Sequence, residues 1–153
     1  MMSKKLEIVN QICDQIDDIY YQYANTFGVT DTELCILHSL YEHDGEYMQS
    51  DICHEWHCSL QTVHTAIKNM EKKKLIELSC QTGNRKNKYI HLCPAGKALI
   101  TSILMPLLQA EEDAFSMLTE EEQDRLVPLL QKYAAALEMK IRGIMRPSED
   151  GSV

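Results

Sequence analysis

The sequence predicts a mainly α-helical fold with one small β-hairpin. Most apolar residues recur at spacings of three and four, which is the period of a helix with one buried face. Only residues 75–93 alternate apolar and polar side chains around a polar, Gly-containing centre, as a hairpin does. The chain has 153 residues, of which 44% are hydrophobic, so it can bury one core without disulfides or metal.

The elements before the hairpin are predicted to be four helices. A long amphipathic helix covers residues 6–23, and Thr30 is the expected N-cap of the second helix. Two short helices follow, the first beginning at Tyr47 and the second running from its N-cap Ser59 to about Lys74. Two short helices joined by a tight turn predict a helix-turn-helix motif.

The elements after the hairpin are predicted to be helices as well. Pro94 suits the first position of a helix, and Pro106, inside the same apolar pattern, predicts a kink or a local break. Thr119 and Glu122 predict a capping box at the start of the last helix. The expected architecture is a winged helix-turn-helix, divided into an N-terminal helix (1–29), the winged module (30–93), C-terminal helices (94–146) and a frayed polar tail (147–153).

Positive charge is concentrated in residues 57–97, which contain the second helix of the motif and the hairpin. The whole chain has a net charge of −8, which argues against indiscriminate attraction to nucleic acid. Between residues 57 and 97, however, eight Lys and Arg residues face only two Glu, a net charge of +6, so the remainder carries −14. A positive segment in an otherwise acidic chain is typical of a protein that binds specific duplex DNA. A charged surface that only faces solvent is the simpler alternative.

The second helix of the motif presents two different faces. Val63, Ile67 and Met70 share the face expected to pack on the core. The opposite face can enter a major groove, where Gln pairs with adenine, His and Lys donate to guanine or phosphate, and Thr offers a hydroxyl and a methyl group. Near the helix start, two hydroxyls suit a phosphate. The predicted DNA contacts on this helix are Ser59, Gln61, Thr62, His64, Thr65 and Lys68.

The hairpin tip carries a second group of candidate DNA contacts. Arg85 lies at a turn, and an Arg at such a tip can reach into a minor groove. A solvated turn is the alternative. The predicted contacts of the wing are Asn84, Arg85, Lys86 and Lys88.

Several short motifs in order resemble the MarR family of winged helix-turn-helix regulators from about Lys5 to Met145. The motifs are Thr30–Leu40, Gln49–Cys53, Ser59–Val63, Met70–Ile76, Ile90–Gly96 and Phe115–Glu121. The resemblance implies a DNA-binding transcriptional regulator that acts as a repressor on a pseudo-palindromic operator. Three departures affect the DNA contacts: His57 and Lys74 stand where the family commonly has Gly, and Asn84 replaces the Asp of the wing.

The resemblance also implies a homodimer formed by the first helix and the last two. The sequence agrees, because apolar stripes at both chain ends would be left exposed on a lone winged module. The expected dimerisation residues are Ile12, Ile16, Ile19, Leu130, Tyr133, Leu137 and Ile141.

Family members commonly release DNA on binding a small lipophilic or phenolic effector. The candidate pocket residues are Tyr20, Tyr23, Tyr41, Met48 and Trp56, although aromatic residues at helical spacing are more often core. A thiol or metal sensor on the same scaffold is an alternative. We interpret the six cysteines as reduced core residues, with Cys13 the best redox candidate and no metal site or other cofactor expected.

Two further alternatives belong to other classes. No phosphate-binding loop, nucleophile elbow or metalloprotease motif is present, so we expect no enzymatic activity. The negative net charge of the whole chain favours a dimeric helical adaptor that binds protein but not DNA. With no apolar leader and no C-x-x-C pair, the expected location is the cytoplasm, without membrane contact.

Overall fold

The computed structural model describes residues 3–80 and 88–145. The chain divides into two compact units, Met1–Leu108 and Gln109–Val153. In chain order the elements are α1 (Lys4–Thr26), α2 (Asp31–Glu42), β1 (Glu46–Met48), α3 (Gln49–Glu55), α4 (Leu60–Lys72), β2 (Ile76–Cys80), β3 (Lys88–Leu92), α5 (Pro94–Leu99), a π-helical segment (Ile100–Leu104), α6 (Met105–Phe115) and α7 (Glu120–Met145). The predicted fold class, mainly helical with a small hairpin, is confirmed.

The predicted helix starts are formed by side-chain caps. Thr30 Oγ1 accepts a hydrogen bond from the Glu33 N–H at 3.1 Å, and Glu33 Oε2 accepts one from the Thr30 N–H at the same distance. Ser59 Oγ accepts from the Thr62 N–H at the start of α4. In this way the caps bind N–H groups that have no partner inside the helix.

The β-structure is larger than the hairpin that the sequence predicts. The sheet has three antiparallel strands in the order β1-β3-β2. Tyr47, expected to begin a helix, instead pairs with Ile90, and Met48 pairs with Tyr89, so α3 begins only at Gln49. That expectation was wrong because pairing with β3, more than 40 residues away, decides the conformation of these residues.

The core of the first unit lies between the helix-turn-helix and the sheet. The three α4 residues predicted to face the core, Val63, Ile67 and Met70, are at most 1% exposed, which confirms that prediction. The cluster also contains residues of α2 and of β2, β3 and the π-helical segment. Gly96 lies so close to the Leu75 carbonyl that a Cβ atom there would clash, so α5 packs directly behind the end of α4.

The break expected at Pro106 lies directly before it. A π-helical segment separates α5 from α6, and the Met105 N–H donates to the Ile100 carbonyl. Pro106 has no N–H to continue an α-helical ladder, which explains why the interruption falls here. The Tyr23 hydroxyl of α1 donates to the Ile103 carbonyl at 2.6 Å and so ties α1 to this segment.

The second unit contains the long helix α7. Its predicted capping box is present: Thr119 Oγ1 accepts from the Glu122 N–H, and Glu122 Oε2 accepts from the Thr119 N–H. Pro128 lies inside α7 without ending it. Within the described residues, every helix is too short or too polar to span a lipid bilayer.

The cysteines are less buried than the sequence suggested. Cys13 and Cys80 are exposed, and the other four are half-buried. Cys13 was expected to be buried in the apolar stripe of α1. That stripe is uncovered in the single chain, because Ala24 is the one buried residue of α1.

Candidate nucleic-acid interface

The outward face of α4 carries the predicted major-groove residues. Gln61, Thr65 and Lys68 are exposed and His64 is half-buried, whereas the other side of the helix lies in the core. Spacings of three and four residues place these four side chains along one side of the helix. The fold therefore holds them together on a rigid, capped element.

Three hydroxyls on α4 are already engaged within the helix. Ser59 Oγ and Thr62 Oγ1 lie 2.7 Å apart and share a hydrogen bond. The Thr65 hydroxyl donates to the Gln61 carbonyl at 3.0 Å. The bond between Ser59 and Thr62 uses only one of their two hydroxyl hydrogens, so the other can still be donated to a DNA phosphate, whereas Thr65 can donate only if its internal bond is exchanged. The hydroxyls are thus less available than the sequence alone suggested.

Leu60 is a residue of this surface that the sequence analysis did not select. It is the first residue of α4, next to the Ser59 cap, and its side chain is 65% exposed. An apolar residue in helix register usually belongs to the core, so the pattern gave no reason to select it. Its exposure in the first turn of α4 distinguishes Leu60 from the buried apolar residues of the same helix.

One lysine of the positive segment has a structural partner. Lys73 Nζ lies 3.1 Å from both carboxylate oxygens of Glu33, which is 1% exposed, and 3.3 Å from the Gly28 carbonyl oxygen. These contacts join the C-terminal end of α4 to the N-terminal end of α2. Lys73 therefore anchors α4, the recognition helix of the predicted motif, and its charge is already paired with Glu33.

The two positions where the MarR family commonly has Gly adopt left-handed backbone conformations. His57, in the turn of the motif, has φ of 51°, and Lys74, after α4, has φ of 56°. Non-Gly residues rarely adopt this region. Here a conformation that Gly adopts readily is formed by two residues with long side chains.

The wing is described only in part. Lys88 is half-buried at the start of β3. The remaining predicted wing contacts, Asn84, Arg85 and Lys86, lie outside the described residues. On the paired strands, Ser79 Oγ and His91 Nε2 are 2.5 Å apart, and His91 Nδ1 is 3.4 Å from Glu46 Oε2. The contacts among Ser79, His91 and Glu46 were not predicted, because they depend on how the strands pair.

Two of the candidate effector residues, Tyr23 and Trp56, lie in different apolar clusters. Tyr23 packs with Ala24, Val29 and the π-helical segment, and Trp56 packs on the main core. The Trp56 indole N–H donates to Ser39 Oγ at 2.7 Å. Tyr20 and Met48 are half-buried, and Tyr41 is exposed.

Two depressions described on the surface of the first unit are lined by residues other than these candidates. One depression of about 320 Å³ lies between the start of α2 and α4. A second, of about 470 Å³, lies at the base of the wing. The first is lined by Thr30, Thr32, Gln61, Thr62, Thr65, Ala66 and Asn69, and the second by Glu71, Lys74, Ile76, Glu77, Leu78 and Cys93.

Three thiols of the first unit have a pKa that is raised by their surroundings. Burial raises the pKa of Cys35 to about 11, with the nearby Cys58 and Asp31 adding to the effect. Burial also raises the pKa of Cys53 and of Cys93. In the part of the chain that the structure describes, no three His, Cys, Asp or Glu residues are grouped to hold a metal ion.

A capped recognition helix beside a three-stranded sheet defines the class of a winged helix-turn-helix protein. The model of the MarR family matches residues 27–86, which include the helix-turn-helix and reach into the hairpin. A search of curated protein sequences found no match. The resemblance drawn from the sequence is confirmed for residues 27–86, which are similar to the MarR family.

Solved structures extend the similarity of fold beyond the matched residues. Staphylococcus aureus MepR, in a complex with DNA, is 25% identical, with a TM-score of 0.72 over 90% of this chain and 99% of that one. A MarR family regulator from Neisseria meningitidis is 19% identical, with a TM-score of 0.76 over 92% and 99% of the two chains. A putative MarR family regulator from Listeria monocytogenes, complexed with a 26mer DNA, is 21% identical, with a TM-score of 0.72 over 99% and 100%.

Proposed function

We propose that this chain is a sequence-specific double-stranded DNA-binding transcriptional regulator that acts as a repressor. The observation that carries the proposal is the exposed polar face of α4, which lies within residues 57–97, a segment with a net charge of +6. MepR and the Listeria regulator have both been solved with DNA, which supports the same use of the fold here. Because its partner is genomic DNA, the cytoplasm is the proposed place of action.

The proposed contacts divide into base readout and backbone positioning. Gln61 pairs with adenine in the major groove, and His64 and Lys68 donate to guanine or phosphate. Backbone contacts fix the register of the helix without reading sequence. We assign these to Ser59 and Thr62 at the start of α4, and the minor-groove contacts of the wing to Asn84, Arg85, Lys86 and Lys88.

The proposed regulator is a homodimer on a pseudo-palindromic operator. Apolar side chains on α1 and on α7 are 38–58% exposed in the single chain, more than a monomer normally leaves in solvent along one stripe. Residues 1–29 and 94–146 are then the dimerisation helices, and residues 30–93 the DNA-binding module. The stripes consist of Ile12, Ile16 and Ile19 on α1, and Leu130, Tyr133, Leu137 and Ile141 on α7.

A small lipophilic or phenolic effector is proposed to regulate DNA binding by changing the distance between the two recognition helices of the dimer. Two recognition helices must lie about 34 Å apart to occupy successive major grooves. An effector that changes this spacing weakens DNA binding without touching α4. MepR is itself described as a transcription regulator of the multidrug efflux pump MepA.

A mobility-shift titration tests the proposal. The intact chain is titrated into duplex DNA from the region beside its own coding sequence, with excess random duplex as competitor. We expect a retarded complex that Lys68→Ala weakens at least about tenfold, because one major-groove contact is lost. Lys132→Ala removes an exposed lysine of α7 and is the matched control. Absence of a complex, together with capture of a protein partner, would favour the adaptor alternative.

A further inference from the structure

We propose that the recognition helix reads the C5-methyl groups of thymine through Leu60 and Thr65. The inference rests on the proposed function, because it specifies which DNA the helix selects. It assigns a base-reading role to Leu60 and restricts the role of Thr65 to its methyl group. The operator half-site that results has A·T pairs at the positions that Leu60, Gln61 and Thr65 contact.

Leu60 is placed for apolar contact with a base. The other apolar residues of α4 are at most 5% exposed, whereas Leu60 is 65% exposed. The core therefore does not explain its side chain. It lies in the first turn of α4, and the N-terminal residues of a recognition helix are those that contact base edges.

Thr65 presents its methyl group for a structural reason. Its hydroxyl donates to the Gln61 carbonyl one turn earlier, at 3.0 Å, while the residue as a whole is exposed. With the hydroxyl turned back to the helix backbone, the γ-methyl is the part of the side chain left to contact DNA. Apolar contact with a thymine methyl is an established form of readout in the major groove.

Gln61 completes the selection for A·T pairs. It follows Leu60 directly and precedes Thr65 by one helical turn, and its amide can bond adenine N6 and N7. α4 contains no arginine, so the bidentate Arg contact to guanine is not available from this helix. Thymine methyl groups project only into the major groove, which is the groove that the helix enters.

Replacement of thymine by uracil tests the inference, because it removes the methyl group and keeps the base pairing. Binding sites are first selected from random duplexes with the intact chain. Each thymine of the selected half-site is then replaced in turn, and affinities are measured by fluorescence anisotropy. We expect one or two positions at which uracil weakens wild-type binding about three- to fivefold, the effect of one buried methyl group.

The variants assign each methyl group to a side chain. Leu60→Ala should abolish the uracil effect at one position. Thr65→Ser, which keeps the hydroxyl, should abolish it at another, whereas Thr65→Val, which keeps the methyl, should retain it. Met117→Ala removes an exposed apolar side chain between α6 and α7 and is the control.

Two outcomes would overturn the inference, and they are distinguishable. If the selected site binds but uracil has no effect at any position, or the effect is equal in wild type, Leu60→Ala and Thr65→Ser, DNA binding stands and methyl readout is wrong. If selection recovers no common sequence, the proposed function fails and methyl readout fails with it.

Discussion

Lys73 Nζ lies 3.1 Å from both carboxylate oxygens of Glu33, and Glu33 is 1% exposed. The same carboxylate accepts the Thr30 N–H of its capping box. One buried group thus fixes the start of α2 and the end of the recognition helix. Because a buried carboxylate is costly without a cationic partner, this pair sets the position of α4.

We predict that Lys73→Met destabilises the fold by about 2 kcal/mol, since it leaves Glu33 buried without its cation. Lys73 is 44% exposed, so water can reach part of the vacated space and the cost stays below that of a fully buried pair. Urea unfolding measures the change. Lys72→Met, at the neighbouring position, should change stability by less than about 0.5 kcal/mol. Equal costs in the two variants would mean that the pair has no structural role.

Arg85→Ala should weaken DNA binding and lower the slope of log K against log salt by about one, because one phosphate or minor-groove contact is lost. The measurement is a salt titration of affinity for a selected site. Arg125→Ala, on α7, is the control and should leave the slope unchanged. An unchanged affinity and slope in Arg85→Ala would show that the hairpin does not act as a DNA-binding wing.

The Cys35 thiol should react slowly with iodoacetamide at pH 8. Its pKa is raised from the ordinary value of 9.0 to about 11 by burial, so its thiolate fraction falls about a hundredfold. The greater nucleophilicity of a high-pKa thiolate offsets part of this, which leaves a rate about tenfold lower. Mass spectrometry compares it with the exposed Cys80. Equal rates for the two thiols would contradict the burial of Cys35.

The raised pKa of Cys35 also makes the stability of the fold decrease as the pH rises. The folded state favours the protonated thiol, so the stability from this group is present below pH 9. It is lost as the pH rises from about 9 through about 11, where the folded thiol also ionises. The loss should be smaller in Cys35→Ala, as measured by urea unfolding at pH 8 and pH 10.5. Identical losses in both proteins would contradict this linkage.

Cys13 provides a probe of the proposed dimer. It is exposed in the single chain and shares the side of α1 that carries Ile12 and Ile16. A second copy packed on α1 would cover it, so Cys13 should be alkylated several-fold faster in Ile16→Asp than in wild type, with Cys80 as the internal reference. Light scattering should show Ile16→Asp to be smaller. A wild-type monomer at micromolar concentration, with equal Cys13 rates, would contradict the dimer.

The sequence was sufficient to predict those features of the fold that depend on residues close together in the chain. The Thr30, Ser59 and Thr119 caps and the buried face of α4 depend on residues within one or two turns. The strand at Tyr47 and the ion pair between Glu33 and Lys73 depend on partners about 40 residues away. No local pattern specifies such a partner.

The candidate site shows the same division. The spacing of Gln61, His64 and Lys68 was sufficient to place them on one side of α4. The bond from Thr65 to the Gln61 carbonyl depends on a rotamer, and the exposure of Leu60 depends on where the core ends. Both are properties of the folded module that the pattern of residue types does not contain.

The central claim is that this chain selects a DNA sequence, and selection from random duplexes measures it most directly. The intact protein is carried through several rounds, the recovered duplexes are sequenced, and the preferred duplex is competed against unrelated DNA at physiological salt. We expect an inverted repeat with half-site centres about 10 base pairs apart, bound at least about a thousandfold more tightly than unrelated DNA. Equal affinity for selected and unrelated duplexes would contradict it.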